Sequence, residues 1–332
     1  MKHVIIGGDG FVGRHIAQQL LARREEVVIY DINKSDLEIY KSASFFRLDI
    51  TDREAFSAML IGPDDMVYNM AARMLDPILP WWNRKAFFWP VNYNGVQYLL
   101  EHMSRRNCDK LVHFTTDMVY GYMTHNPQNE DHPRKPLGPY GESKSLSEDL
   151  CESYRARGMK ISMFRPRLII GPGRLGILRK LFWLVDHHLP IPMIGNGTNH
   201  YQFISVFDCA SAAICAYDKS VPNSVYNLGS KNPPTVTELL MALIKEADTK
   251  SVLLKTPAGL VKAALNALEF VGFPLMDPEQ YLIADEDCIV DISRGERELG
   301  WVPRYSDQDM LIQAYREYRQ GKFQARPAAR ER

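Results

Sequence analysis

The N-terminal segment constrains the fold more than any other part of the chain. An apolar run, "HVIIG", passes straight into "GGDGFVGRHI", with Gly7, Gly10 and Gly13 at three-residue intervals and a helical pattern following. Glycines so placed between strand and helix let backbone N–H groups, those of Phe11 and Val12 included, approach an anion at the helix N-terminus, where the dipole favours negative charge. A second apolar run, "EVVIYD", then ends in Asp31. A carboxylate at that strand end can bond both hydroxyls of a ribose and repels a 2′-phosphate. The segment reads as the opening of a parallel sheet that binds a dinucleotide, NAD in preference to NADP.

The same alternation continues. "SFFRLD", "DMVYNMA", "KLVHFTT" and "KISMFRP" have strand character, and "DREAFSAML", "NYNGVQYLLEHMSRR" and "GESKSLSEDLCESYRARG" have helical apolar spacing. This predicts an α/β fold, a doubly wound parallel sheet of the Rossmann type, over residues 1–166. Thr51 with Glu54 predicts a capping box. After Pro166, prolines and glycines cluster in "GPGRLG" and "PIPMIGNG". Residues 167–320 therefore read as a smaller, mixed substrate lobe with some segments returning to the large domain, and the basic stretch 321–332 as a frayed tail. In "AGLVKAALNALEFVG", Leu260, Ala264, Leu268 and Val271 share one helical face, the pattern of an amphipathic helix covering something.

Composition excludes several classes of function. Forty basic residues balance forty acidic ones, so nothing recruits nucleic acid electrostatically. The five cysteines are scattered and odd in number, which fits reduced thiols and a cytoplasmic protein. "MKHVIIGG" lacks the parts of a signal peptide, and Lys262, Asn266 and Glu269 interrupt the most apolar late segment, so no membrane span is expected. His187 and His188 have no acidic or cysteine partner at metal-ligand spacing, and no metal is expected.

One short motif carries chemistry. Tyr140 and Lys144 in "PYGESK" stand four residues apart, so on a helix the phenol and the ammonium share a face. A fixed cation beside a tyrosine favours its phenolate and makes the pair a candidate acid/base device.

In order along the chain, "GGDGFVG", Asp31, "LDITD", "NMAA", "VNYNG", "FTTDMVYG", "PYGESK", "FRPRLIIGPG", "ISVFD" and "ELGWVP" resemble the extended short-chain dehydrogenase/reductases, also called the NAD-dependent epimerase/dehydratase family. The likeness covers nearly the whole chain. It implies that Asp49 and Ile50 flank an adenine, that Met70, Ala71 and Ala72 line the cofactor cleft, and that Asn92 helps to hold the cofactor side. It further implies that Thr116, with Thr115 as fallback, is the catalytic hydroxyl, that Tyr140 is the acid/base, and that Lys144 is its partner and bonds the nicotinamide ribose. Lys144 and the oxidised nicotinamide are then expected to lower the Tyr140 pKa.

The substrate is less constrained. Family members acting on nucleotide sugars typically hold the diphosphate with an asparagine and arginines. Those positions here are Leu168, Tyr201 and the acidic run Asp285, Glu286 and Asp287. Arg167, Arg174 and Arg179 are substitutes from another direction, though each also reads as an ordinary solvated arginine. Trp81, Trp82, Phe87, Phe88 and Trp89 form either an apolar wall for substrate or a packing cluster. The leading expectation is NAD-dependent, reversible hydride transfer at a secondary alcohol or ketone of a small or hydrophobic substrate. The alternative is a nucleotide-sugar epimerase or dehydratase that never releases its NAD. Val96, Leu99, Leu100 and Met103, with Leu146, Leu150 and Tyr154, are expected to build a four-helix homodimer contact.

Overall fold

The computed structural model describes residues 1–75, 77–176 and 178–321; apart from Gly321, the tail expected at 321–332 lies outside the described residues. The chain runs β1 (His3–Ile6), α1 (Phe11–Ala22), β2 (Val27–Asp31), β3 (Ser44–Arg47), β4 (Met66–Asn69), α2 (Trp81–Trp89), α3 (Gly95–Arg105), β5 (Lys110–Phe114), α4 (Pro139–Arg155) and β6 (Lys160–Pro166). It continues with β7 (Leu168–Ile170), α5 (Leu178–Asp186), β8 (Ile191–Ile194), β9 (Phe203–Ser205), α6 (Val206–Asp218), β10 (Val225–Leu228), α7 (Val236–Ala247) and β11 (Leu253–Thr256). Last come α8 (Ala258–Phe270), α9 (Pro278–Tyr281), α10 (Ser293–Leu299) and α11 (Asp307–Arg319).

Seven strands form one parallel sheet in the order β10-β6-β5-β4-β1-β2-β3. The period-two geometry of a strand sends alternate residues to opposite faces, and both faces are dry. Ile5, Tyr68, Val112 and Phe164 point to the layer covered by α1 and α6. Val4, Val67, Leu111 and Met163 point to the layer covered by α3 and α4. A third core, built on Phe182, Leu243 and Met310, belongs to α5, α7 and α11. Val96, Leu99, Leu100 and Met103 are consumed within the subunit, and Tyr154 of α4 is buried there too, while Leu146 and Leu150 stay half-exposed.

Two local expectations fail for identifiable reasons. "DREAFSAML" makes only a single 3-10 turn at Ala55–Ala58, and Thr51 builds no capping box. Asp52 takes the N–H groups of Glu54 and Ala55 at 2.9 and 3.2 Å, while the Thr51 hydroxyl donates to Asp49 at 2.7 Å. The Asp52 carboxylate, one residue nearer the turn, takes the orphan donors.

The second concerns α8, which does not bury the expected face. Its polar residues are the tethered ones: Lys262 donates to the Leu282 carbonyl at 2.7 Å and pairs with Asp285, Asn266 accepts from the Tyr281 hydroxyl at 2.6 Å, and Glu269 accepts from Arg84 at 2.7 Å. These positions are spaced i, i+4 and i+7, one stripe of the helix, so the apolar face is turned outward. Leu260 is 71% and Val271 60% exposed, next to the exposed Phe270 and Phe273 and the exposed Trp81 and Trp82 of α2. No described helix is long and apolar enough to cross a membrane.

Candidate active site

The sheet order reverses between β1 and β4, the point at which an open α/β sheet binds ligands, outside the carboxyl ends of its strands. The glycine turn follows β1. Gly7 has φ +76°, and a Cβ on it would stand 2.6 Å from the Ala71 nitrogen; a Cβ on Gly13 would stand 2.4 Å from the Gly7 carbonyl oxygen. Only glycine lets α1 start this close to the turn. Gly10 is the N-cap, no side chain caps α1, and its first turn carries no acidic residue, so this N-terminus keeps its electropositive character. Asp31 closes β2, and each of its oxygens accepts one backbone N–H, from Asp9 at 3.0 Å and from Asn33 at 3.1 Å. Those two bonds aim the carboxylate. The turn, the helix end and the aimed carboxylate fit a dinucleotide without a 2′-phosphate.

Asp9 is the residue the sequence reading passed over. An acid inside a glycine turn expected to hold phosphate is electrostatically awkward, which was the available signal. Asp9 is turned away into the loop after β2, where it accepts from the Ser35 amide at 3.0 Å, the Ser35 hydroxyl at 2.7 Å and the Tyr40 hydroxyl at 2.7 Å. It braces the loop beside Asp31.

The remaining cofactor-side candidates differ in what they offer. Asp49 is exposed past the end of β3, and Ile50 is buried against Gly95. Met70, Ala71 and Ala72 follow β4 and are half-buried, as a cleft wall requires. Asn92 is fully buried and spends its amide within the protein: it accepts the Arg73 N–H at 2.8 Å and donates to the Arg73 carbonyl at 3.0 Å and to Ser143 at 3.1 Å. It can act on a cofactor only through the 70–73 wall that it holds.

Thr116, Tyr140 and Lys144 are brought together by β5 and α4. Thr116 follows β5 and caps a 3-10 turn, accepting the Met118 N–H at 3.2 Å and donating to Asp117 at 3.3 Å. Thr115 points elsewhere, into the buried Glu148 at 2.7 Å, which removes it as the alternative hydroxyl. The Tyr140 phenol meets Thr116, lies 3.5 Å from Met74 Sδ and has the Phe88 ring 5.5 Å away. Lys144 is 2% exposed and donates to the Phe114 carbonyl at 3.1 Å.

Burial pushes the Tyr140 pKa up; the Thr116 hydroxyl pulls it down, Glu279 and Asp117 raise it, and Arg174 lowers it. The Lys144 ammonium is held by the Phe114 carbonyl. Burial brings Lys144 itself down to about 8, against the upward pull of Glu148 and Cys151. Within the protein the phenol is kept protonated, the state of an acid.

Substrate-side candidates separate as well. Arg167 is not a solvated arginine: it is buried in an ion pair with Asp117, beneath the Tyr201 ring at 4.7 Å. Arg179 is exposed, and Arg174 is half-buried with its charge felt at Tyr140. The aromatic cluster splits, Phe88 packing on Tyr140 and Phe87 under Arg73 at 4.9 Å, while Trp81 and Trp82 face solvent. His187 and His188 are exposed.

Residues 3–229 match the family model described as NAD dependent epimerase/dehydratase family. The uncharacterized protein y4nG of Sinorhizobium fredii is 32% identical over 316 residues, covering 95% of this chain and 78% of that one. A UDP-glucose 4-epimerase of Streptococcus mutans is 28% identical over 340 residues, covering 94% and 95%. Among solved structures, a UDP-glucose 4-epimerase superposes with a TM-score of 0.80 at 20% identity, covering 98% of this chain and 100% of that one. A mutant UDP-glucuronic acid 4-epimerase from Bacillus cereus, in complex with UDP-4-deoxy-4-fluoro-glucuronic acid and NAD, gives 0.78 at 25% identity, covering 96% and 99%.

Proposed function

This chain belongs to the NAD-dependent epimerase/dehydratase family, and on that basis we propose that it is an enzyme that epimerises or dehydrates a nucleotide-linked sugar, with Tyr140 as acid/base. The observation that carries the reading is the end-to-end alignment with the Streptococcus mutans UDP-glucose 4-epimerase, which reverses the preference the sequence suggested for a small or hydrophobic alcohol. In this reading residues 1–166 chiefly bind cofactor and 167–320 chiefly bind substrate, with α6 and β10 serving the large sheet.

NAD, when bound, supplies the hydride acceptor. The chain's own part begins with holding it: Gly7, Gly10 and Gly13 with the amides of Phe11 and Val12 at the pyrophosphate, Asp31 at the adenosine ribose, Asp49 and Ile50 at the adenine, Met70, Ala71 and Ala72 along the wall, and Lys144 at the nicotinamide ribose. Tyr140 Oη takes and returns the proton of the reacting hydroxyl. Thr116 Oγ1 bonds the same substrate oxygen and orients it. The homodimer through α3 and α4 stays part of the proposal; of the seven apolar residues named for it, Leu146 and Leu150 are the two left half-exposed.

The test is incubation of the protein and its bound cofactor with UDP- and GDP-hexoses. Conversion with no net NADH supports the reading. Inert nucleotide sugars, with NADH accumulating on a secondary alcohol, would overturn it in favour of the alcohol dehydrogenase. That second reading keeps a specific support in Leu168, Tyr201 and the apolar Met74 and Phe88 around Tyr140.

Cofactor choice has its own expected result. Asp31→Ala should weaken NAD binding by roughly tenfold, about 1.4 kcal/mol, and improve NADP relative to NAD. A fluorescence titration in which the unaltered protein binds NADP more tightly than NAD would contradict the role of Asp31.

A further inference from the structure

We infer that Glu279, a residue of the smaller lobe, is a positioning residue for Tyr140, because its carboxylate caps the N-terminus of the helix that carries the acid/base. This rests on the reading of Tyr140 given above.

An α-helix leaves its first N–H groups without partners. Helix α4 starts at Pro139 behind Gly138, and no side chain of that neighbourhood caps it. The partner arrives from 139 residues away: Glu279 Oε1 accepts the Tyr140 N–H at 2.8 Å and Oε2 accepts the Gly141 N–H at 2.8 Å. One carboxyl group thus fixes the main chain of the reacting residue and of its neighbour. The fit is close. A Cβ on Gly138 would lie 2.7 Å from Glu279 Cγ, and one on Gly141 would lie 2.9 Å from Glu279 Oε2 and 2.6 Å from the Met118 carbonyl.

Glu279 is itself held firmly. It is 1% exposed, and Asp277 caps α9 by accepting the Glu279 N–H at 3.0 Å. Arg84 of α2 stands 3.3 Å from Asp277 and donates to Glu269 of α8. One turn on from Arg84, Phe88 lays its ring against Tyr140. The phenol is therefore gripped twice, from the backbone by Glu279 and from the ring by Phe88, and both grips run through Arg84 to the segment that begins with α8. Burial, with Asp277 beside it, pushes Glu279 up to about 8, against the downward pull of the Gly141 and Tyr140 N–H groups and of Arg84. A shift of about 1 Å in the acid/base is enough to cost up to about 10²-fold in rate.

The experiment compares Glu279→Ala, Glu279→Gln and Tyr140→Phe with the unaltered protein, on the substrate converted in the assay above, a UDP- or GDP-hexose or a secondary alcohol. Glu279→Ala is expected to lower kcat about tenfold with KM and NAD affinity within twofold. Glu279→Gln keeps one acceptor and the volume, so an intermediate kcat is expected. Amide hydrogen exchange, which needs no substrate, should quicken at Tyr140 and Gly141 and not along the sheet. If Glu279→Ala does not fold, Glu279→Gln carries the test. Unchanged kcat and exchange in the folded variants, or losses in kcat, KM and NAD binding that run together, would overturn the inference. Full activity in Tyr140→Phe would instead overturn the reading of Tyr140, whatever the Glu279 variants do.

Discussion

Replacing Tyr140 by phenylalanine is expected to lower turnover by roughly 10²-fold or more while leaving NAD binding within about twofold. The ring stays, so its packing on Phe88 and the course of α4 stay with it. Only the hydroxyl goes, and with it the atom near Thr116 that can carry a proton. Burial favours the protonated phenol, and the neighbouring Thr116 hydroxyl is the largest influence drawing it toward ionisation. The check is steady-state kinetics on the converted substrate together with an NAD titration. Near-normal turnover would mean that another group is the acid/base. A loss of NAD affinity as large as the loss in turnover would mean that the hydroxyl holds cofactor rather than moving a proton.

The large sheet was legible because strand and helix periods differ and the chain obeys both. Val4, Ile5 and Ile6 are all apolar because both faces of β1 are covered, and Gly7 follows because only glycine fits there. Tyr140 and Lys144 were legible for the same local reason, four residues on one helix. What surrounds them was not. Glu279 meets Tyr140 from 139 residues away and Arg165 meets Glu148 from another element, and such long-range pairs have no periodicity to read. The outward face of α8 misled for a related reason. An amphipathic pattern says that two faces differ, and Lys262, Asn266 and Glu269 found inward partners that the pattern could not name.

Arg165→Met is expected to destabilise the fold by about 3–5 kcal/mol, the usual result of leaving a buried charge without its partner. Arg165 is 3% exposed and its guanidinium meets Glu148 twice, Nε to Oε1 at 2.9 Å and Nη2 to Oε2 at 2.5 Å. Its third nitrogen donates to the Tyr120 hydroxyl at 2.9 Å and the Glu130 carbonyl at 3.1 Å, so β6 is tied to the loop after β5. Glu148 is fully buried, and without Arg165 it would retain only the Thr115 hydroxyl at 2.7 Å and the more distant Arg134 at 3.3 Å. Methionine fills much of the arginine's volume, so the loss reports charge more than a cavity. The double variant Arg165→Met with Glu148→Gln removes both charges and should recover a good part of the loss, which a double-mutant cycle in urea would measure. Because Glu148 stands one turn from Lys144 on α4, the single variant should also lose activity at temperatures where it is still folded. A loss in stability below about 1 kcal/mol would place this pair with solvated surface ion pairs and remove it as the support of the helix that carries the site.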